Sequence, residues 1–222
     1  MSQKKPVVYN NKKTKQNKFH IEFTNGAQKM AWGAFQQHDI LFLTGPAGVG
    51  KSFLAMAFAI SELLENKAKK IILTRPIVQA GEDLGFLPGD FMEKVNPYMA
   101  PLYDSLDKLI SPDSEQSEFV KDHIEIAPLA YLRGRSFDNA ICIFDEAQNA
   151  TLSQIKLFVT RFGANSKIII TGDPNQSDIH NSGLMNVVSR LETVGGVGII
   201  RFKNDSIVRH PLISEVLDKL EE

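Results

Sequence analysis

A chain of 222 residues, 43% of them hydrophobic, can bury one full core or slightly more, and no apolar run in it approaches the roughly eighteen residues of a membrane-spanning helix. The start, MSQKKPVVYNNKKTKQNK, has lysines but no apolar stretch, so it does not read as a secretory signal; with Cys142 the only cysteine, a disulfide within the chain is excluded. A reducing, cytoplasmic location is the expectation, with Cys142 a small buried hydrophobe.

The net charge of −1 hides an asymmetry. Residues 1–18 carry six lysines and no acid, whereas residues 76–123 carry ten acids against Lys94, Lys108 and Lys121; the remainder is balanced. The tail to Lys18 has no periodicity and is expected to be a disordered arm, either merely solvated or in contact with nucleic acid. From Thr24 to Gln37 a short helix is predicted, with Asn25 its cap and Gln28 in its first turn.

The apolar run Ile40-Leu41-Phe42-Leu43 reads as a buried strand ending on Thr44-Gly45. Gly45-Pro46-Ala47-Gly48-Val49-Gly50-Lys51-Ser52 then matches the phosphate-loop pattern in full, and a helix from Phe53 to about Asn66 follows. Strand, loop and helix in that order are the context the motif requires. The glycines let successive backbone N–H groups surround a polyphosphate at the positive end of the helix. Lys51 is placed to reach the β- and γ-phosphates, and Ser52 to offer its hydroxyl to Mg²⁺.

Lys70 to Arg75 is predicted as a second strand, stopped by Pro76. Residues 76–123 exceed an ordinary crossover and read as an acidic insertion or subdomain within one domain spanning 19–222, a lid or a subunit-facing surface, with a helix from Met99 to Ile110 broken near Pro101. Further strands are predicted at Ile124–Ala127, Ala140–Phe144, Lys167–Thr171 and Gly198–Phe202, with helices at Leu152–Phe162, Ser182–Glu192 and from Pro211. Continuous apolar strands alternating with helices imply an α/β fold with a parallel sheet covered on both faces.

In such a sheet the ligand lies beyond the carboxyl ends of the strands, and the polar clusters fall there. Asp145 ends an apolar strand, where a carboxylate can hold Mg²⁺ beside Ser52; Glu146 could orient or deprotonate an attacking water. Gln176, after the next strand, is either an ordinary turn residue or an amide that bonds both the water and the γ-phosphate. Nucleic-acid contacts, if made, fall to the tail and to Arg133, Arg135, Lys156 and Arg161, since the insertion is acidic.

Asp145-Glu146-Ala147-Gln148 with Gly172-Asp173-x-x-Gln176 resembles the Walker B and third motifs of superfamily 1 helicases, and Asn25-x-x-Gln28 stands where those enzymes have an adenine-reading glutamine. The segments GPAGVGKSFLA, LTRPIVQAGEDLGFLPGDFMEKVNPYMAPLYD, IEIAPLAYLRGRSF, FDEAQNAT, VTRFGANSKIIITGDPNQSDI and VRHPLI are similar to the PhoH-like ATPase family, over nearly the whole chain. The resemblance implies a RecA-like core that hydrolyses ATP with Mg²⁺, a link to RNA or single-stranded nucleic acid, and a homo-oligomer, with a hexameric ring as the form to test. A single RecA-like domain, without the second one of the helicases, is the expectation for this sequence. Arg209, in a segment similar to the arginine motif that follows the third motif in those helicases, is either surface decoration or a finger that meets the γ-phosphate. Two other classes remain open: a small-molecule phosphotransferase and an ATP-gated scaffold that does not remodel nucleic acid.

Overall fold

Alternation within the apolar runs decides the layering. The computed structural model describes residues 19–76, 91–203 and 206, with the backbone alone for 91–96. In chain order the elements are α1 (Gly26–Gln37), β1 (Ile40–Thr44), α2 (Lys51–Leu64), β2 (Lys70–Thr74), α3 (Phe91–Leu109), α4 (Glu115–Asp122), β3 (Ile124–Ile126), β4 (Ala140–Phe144), α5 (Leu152–Val159), β5 (Lys167–Gly172), α6 (Leu184–Leu191) and β6 (Val197–Arg201). Short 3₁₀ turns occupy Leu129–Tyr131 and Ala147–Asn149. The strands form one sheet in the order β3-β2-β4-β5-β1-β6, and every pairing is parallel.

Because side chains on a strand point alternately to opposite faces, a strand covered on both sides must be apolar at every position. Leu41, Leu43, Ile71, Leu73, Ile141, Ile143 and Ile169 pack into one core with α1 to α4, whereas Phe42, Ile72, Cys142, Phe144, Ile168 and Ile170 pack into a second core with α5 and α6. Cys142 is fully buried there, and burial pushes its thiol pKa up to about 12, so it stays a protonated apolar group. Helix α2 lies deepest: Leu54 to Ile60 are all fully buried, because α1, α3 and α4 cover the side it turns away from the sheet.

The elements predicted from the sequence are present within the described residues, with three corrections. The helix expected to break near Pro101 runs on through Pro97 and Pro101 as α3. A prolyl nitrogen cannot donate to the carbonyl four residues back. Both prolines are on the exposed side, where water can take the freed carbonyls, while Met99, Leu102 and Leu106 stabilise the helix by full burial. Helix α4, capped by the Ser114 side chain on the Ser117 N–H, is an addition to the predicted elements. Helix α5 stops at Val159 instead of Phe162, because the following residues turn to run beside Phe137, whose N–H donates to the Arg161 carbonyl at 2.8 Å. The described part of the acidic insertion shares the first core through Met99, Leu102, Leu106, Ile110 and Val120. The tail 1–18, Arg209 and the helix expected from Pro211 lie outside the described residues.

Candidate functional site

Strand order brings the polar clusters together. Strand β5 lies between β1 and β4, so the loops leaving the carboxyl ends of β1, β4 and β5 are neighbours. Gly45, Gly48 and Gly50 all have positive φ, and Gly50 is the left-handed cap of α2. At Gly45 a Cβ would also meet the Phe202 carbonyl at 2.5 Å, so glycine is required by space as well as by conformation. The first turn of α2 contains no acidic residue, leaving the positive end of the helix unopposed. Across the loop, the Lys51 ammonium donates to the Gly45 and Pro46 carbonyls at 2.7 and 2.8 Å.

Asp145 is 1% exposed. Its Oδ1 accepts the Ser52 hydroxyl at 2.7 Å and the Thr171 hydroxyl from β5, so the end of β4 is tied to the loop on one side and to β5 on the other. A buried carboxylate oxygen beside a hydroxyl at a helix start suits Mg²⁺, which takes one or two protein oxygens and completes its shell with phosphate and water. Ser52 and Asp145 are therefore a fitting pair for that ion.

Glu146 follows with φ 56°, in the left-handed region that a non-glycine residue adopts only when its surroundings hold it there. One carboxylate oxygen accepts from the Gln148 amide, and the other lies 3.4 Å from an Arg75 guanidinium nitrogen. Gln148 is buried, and its Oε1 accepts the Asp173 N–H at 3.0 Å, linking the loop after β4 to the loop after β5. Gly172 makes room for that link, since a Cβ there would approach Gln148 Oε1 to 2.9 Å. Glu146, Asp173 and Gln176 line one cleft of about 210 Å³ with Lys51, Ser52 and the loop residues Ala47, Gly48 and Gly50.

The remaining residues singled out in the sequence are placed as follows. Asn25 caps α1, accepting the Gln28 N–H at 3.0 Å, and lines a larger cavity of about 620 Å³ between α1 and β6. Gln28 is buried between that cap and the phosphate loop, donating to the Val49 carbonyl at 3.3 Å and accepting the Thr24 N–H at 2.9 Å. Of the basic set, Arg133 and Lys156 are exposed. Arg135 pairs with Glu125 and lies over the Phe137 ring at 5.5 Å, and Arg161 donates to the Arg135 carbonyl at 3.1 Å. Burial alone would raise the Glu125 carboxyl, but hydrogen bonds from Lys70 and Arg135 outweigh it and hold it below the usual range. The structure adds Arg75, Gln148 and Thr171, none of which the sequence reading assigns to the site. A signal exists for all three: each stands at a strand end or in a strand-end motif, where a polar side chain faces the site.

A phosphate loop on β1, an acid pair on β4 and β5 inserted between the two strands define a RecA-like P-loop NTPase fold. The pattern of the PhoH-like protein family matches residues 20–221, and the chain belongs to that family. It is 47% identical over 191 residues to a PhoH-like protein of Synechocystis sp., covering 85% of this chain and 58% of that one. A PhoH-like protein of Bacillus subtilis is 47% identical over 188 residues, covering 83% and 59%. The chain thus spans under two thirds of these relatives' length. Among solved structures, the large terminase of a thermophilic bacteriophage aligns with a TM-score of 0.50 at 11% identity, over 84% of this chain and 46% of the terminase, a likeness of fold alone. Among the described residues no helix is long and apolar enough to cross a membrane.

Proposed function

We propose that this chain binds ATP with Mg²⁺, hydrolyses it, and couples hydrolysis to RNA or single-stranded nucleic acid. The observation that carries the proposal is the meeting of Lys51, Ser52, Glu146 and Gln176 on one cleft, with Asp145 bonded to Ser52 behind it. The loop amides and Lys51 hold the β- and γ-phosphates, and the 620 Å³ cavity beside Asn25 receives the nucleoside. Bound Mg²⁺, held by Ser52 and Asp145, supplies charge neutralisation on the phosphates. Gln176 orients a water in line with the γ-phosphorus, and Glu146 takes its proton as the new P–O bond forms and the bond to the ADP oxygen breaks. Arg209 would add positive charge at the γ-phosphoryl oxygens, from the same copy or from a neighbour in a homo-oligomer.

For nucleic acid, Arg133 and Lys156 offer exposed charge, while Arg135 and Arg161 brace the turn that presents Arg133. The test is phosphate release from ATP with and without single-stranded RNA at two salt concentrations. Free phosphate stimulated by RNA, and less so at high salt, is expected. Phosphate release indifferent to RNA would remove the coupling. ADP without free phosphate would mean transfer to a small acceptor, and neither product would leave a nucleotide-gated scaffold.

A further inference from the structure

Among the described residues, an arginine at the end of β2 reaches the acid pair. Strand β2 ends at Thr74 and Pro76 prevents its continuation, so Arg75 is left at the strand's carboxyl end. Register then fixes its neighbour: Thr74 is opposite Phe144, and the Asp145 N–H donates to the Thr74 carbonyl at 2.9 Å. The Arg75 side chain is 20% exposed and branches two ways, with one terminal nitrogen donating to the Tyr98 carbonyl of α3 at 2.9 Å and the other lying 3.4 Å from Glu146 Oε1. The opposite oxygen of Glu146 accepts from Gln148, which is itself held by the Asp173 N–H. Both oxygens of this carboxylate are thus directed by the protein, one from β5 through a neutral amide and one from α3 through a cation. An exposed ion pair would be worth little. A guanidinium, by contrast, has a rigid planar fork that can meet two acceptors at once, and here one of them is a helix carbonyl that cannot swing away.

We propose that Arg75 is a positioning residue for ATP hydrolysis: anchored on α3, it holds the Glu146 carboxylate beside the phosphate loop, in reach of the attacking water. The inference rests on the reading of Glu146 as the proton acceptor. It also gives the acidic insertion a role, since α3 supplies the anchor. Because Arg75 does not line the phosphate-binding cleft, nucleotide affinity should not depend on it.

The test compares Arg75→Ala, Arg75→Lys and Glu146→Gln with wild type in steady-state ATP hydrolysis, with melting temperature measured alongside. Arg75→Ala should lower kcat by about tenfold to a hundredfold while KM for ATP stays within about threefold. Lysine, a compact point charge, should recover only part, and millimolar guanidinium ion should recover part in the alanine variant but none in Glu146→Gln. Unchanged kcat in Arg75→Ala, beside an inactive Glu146→Gln, would overturn the inference alone. Loss of kcat, ATP binding and melting temperature together, without guanidinium rescue, would reduce Arg75 to a structural tie. Normal turnover by Glu146→Gln would sink the proton-acceptor reading itself, whatever Arg75→Ala does.

Discussion

The strand ends that build the phosphate cleft and the basic set of Arg133, Arg135, Lys156 and Arg161 use their charged side chains in opposite ways. At the strand ends each acid meets a partner from a neighbouring strand: Asp145 meets Thr171 of β5 as well as Ser52 of α2, and Glu146 meets Arg75 after β2 as well as Gln148 in its own turn. In the basic set two of the four cations are paired within the protein, Arg135 to Glu125 and Arg161 to the Arg135 backbone, and Arg133 and Lys156 are left facing solvent. A charge at a strand end is committed by topology, whereas a charge on a turn or a helix surface is committed only by the side chains that happen to surround it. The first kind of residue supports a functional assignment from sequence; the second needs coordinates.

The largest expected effect breaks the strand-end side. Lys51→Ala should abolish hydrolysis and weaken ATP binding, as measured by phosphate release and nucleotide titration, because the ammonium is the loop's one side-chain cation. Next, Arg209→Ala should cut turnover by about tenfold or more with ATP affinity nearly intact. Restored activity on mixing it with Lys51→Ala subunits would assign the arginine to a neighbouring copy, and wild-type turnover would remove it from the site. A smaller effect sharpens the basic side. Neutralising Arg133 and Lys156 together should weaken RNA binding and flatten its salt dependence without lowering the melting temperature. Arg135→Ala should do the reverse, costing stability first. It removes one of the two cations that depress the Glu125 pKa, so that cost should be full above the ordinary carboxylate range and fade as pH falls through the folded-state value, where wild type loses the same support.

Much of this is legible without coordinates, for reasons that differ by element. The parallel sheet follows from uninterrupted apolar runs such as Ala140–Phe144, which only burial on both faces explains. Gly45 to Ser52 announces itself because the loop geometry demands glycine where φ is positive and where Phe202 closes in. Only the second half of helix α3 is legible, because prolines usually break a helix; what carries it through Pro97 and Pro101 is the burial of Met99, Leu102 and Leu106, a tertiary effect without a local signature. The partners of Arg75 are hidden for a related reason. Its sequence neighbours mark a strand end, but its value comes from Tyr98 and Glu146, which are 23 residues away and beyond another strand respectively.

The role proposed for Glu146 is to receive the proton from the attacking water at this cleft. It is tested most directly by measuring ATP binding and phosphate release for Glu146→Gln side by side. The amide is nearly the same size as the carboxylate but cannot accept the proton. ATP affinity close to wild type with turnover lost is the predicted result; phosphate release at the wild-type rate would contradict it.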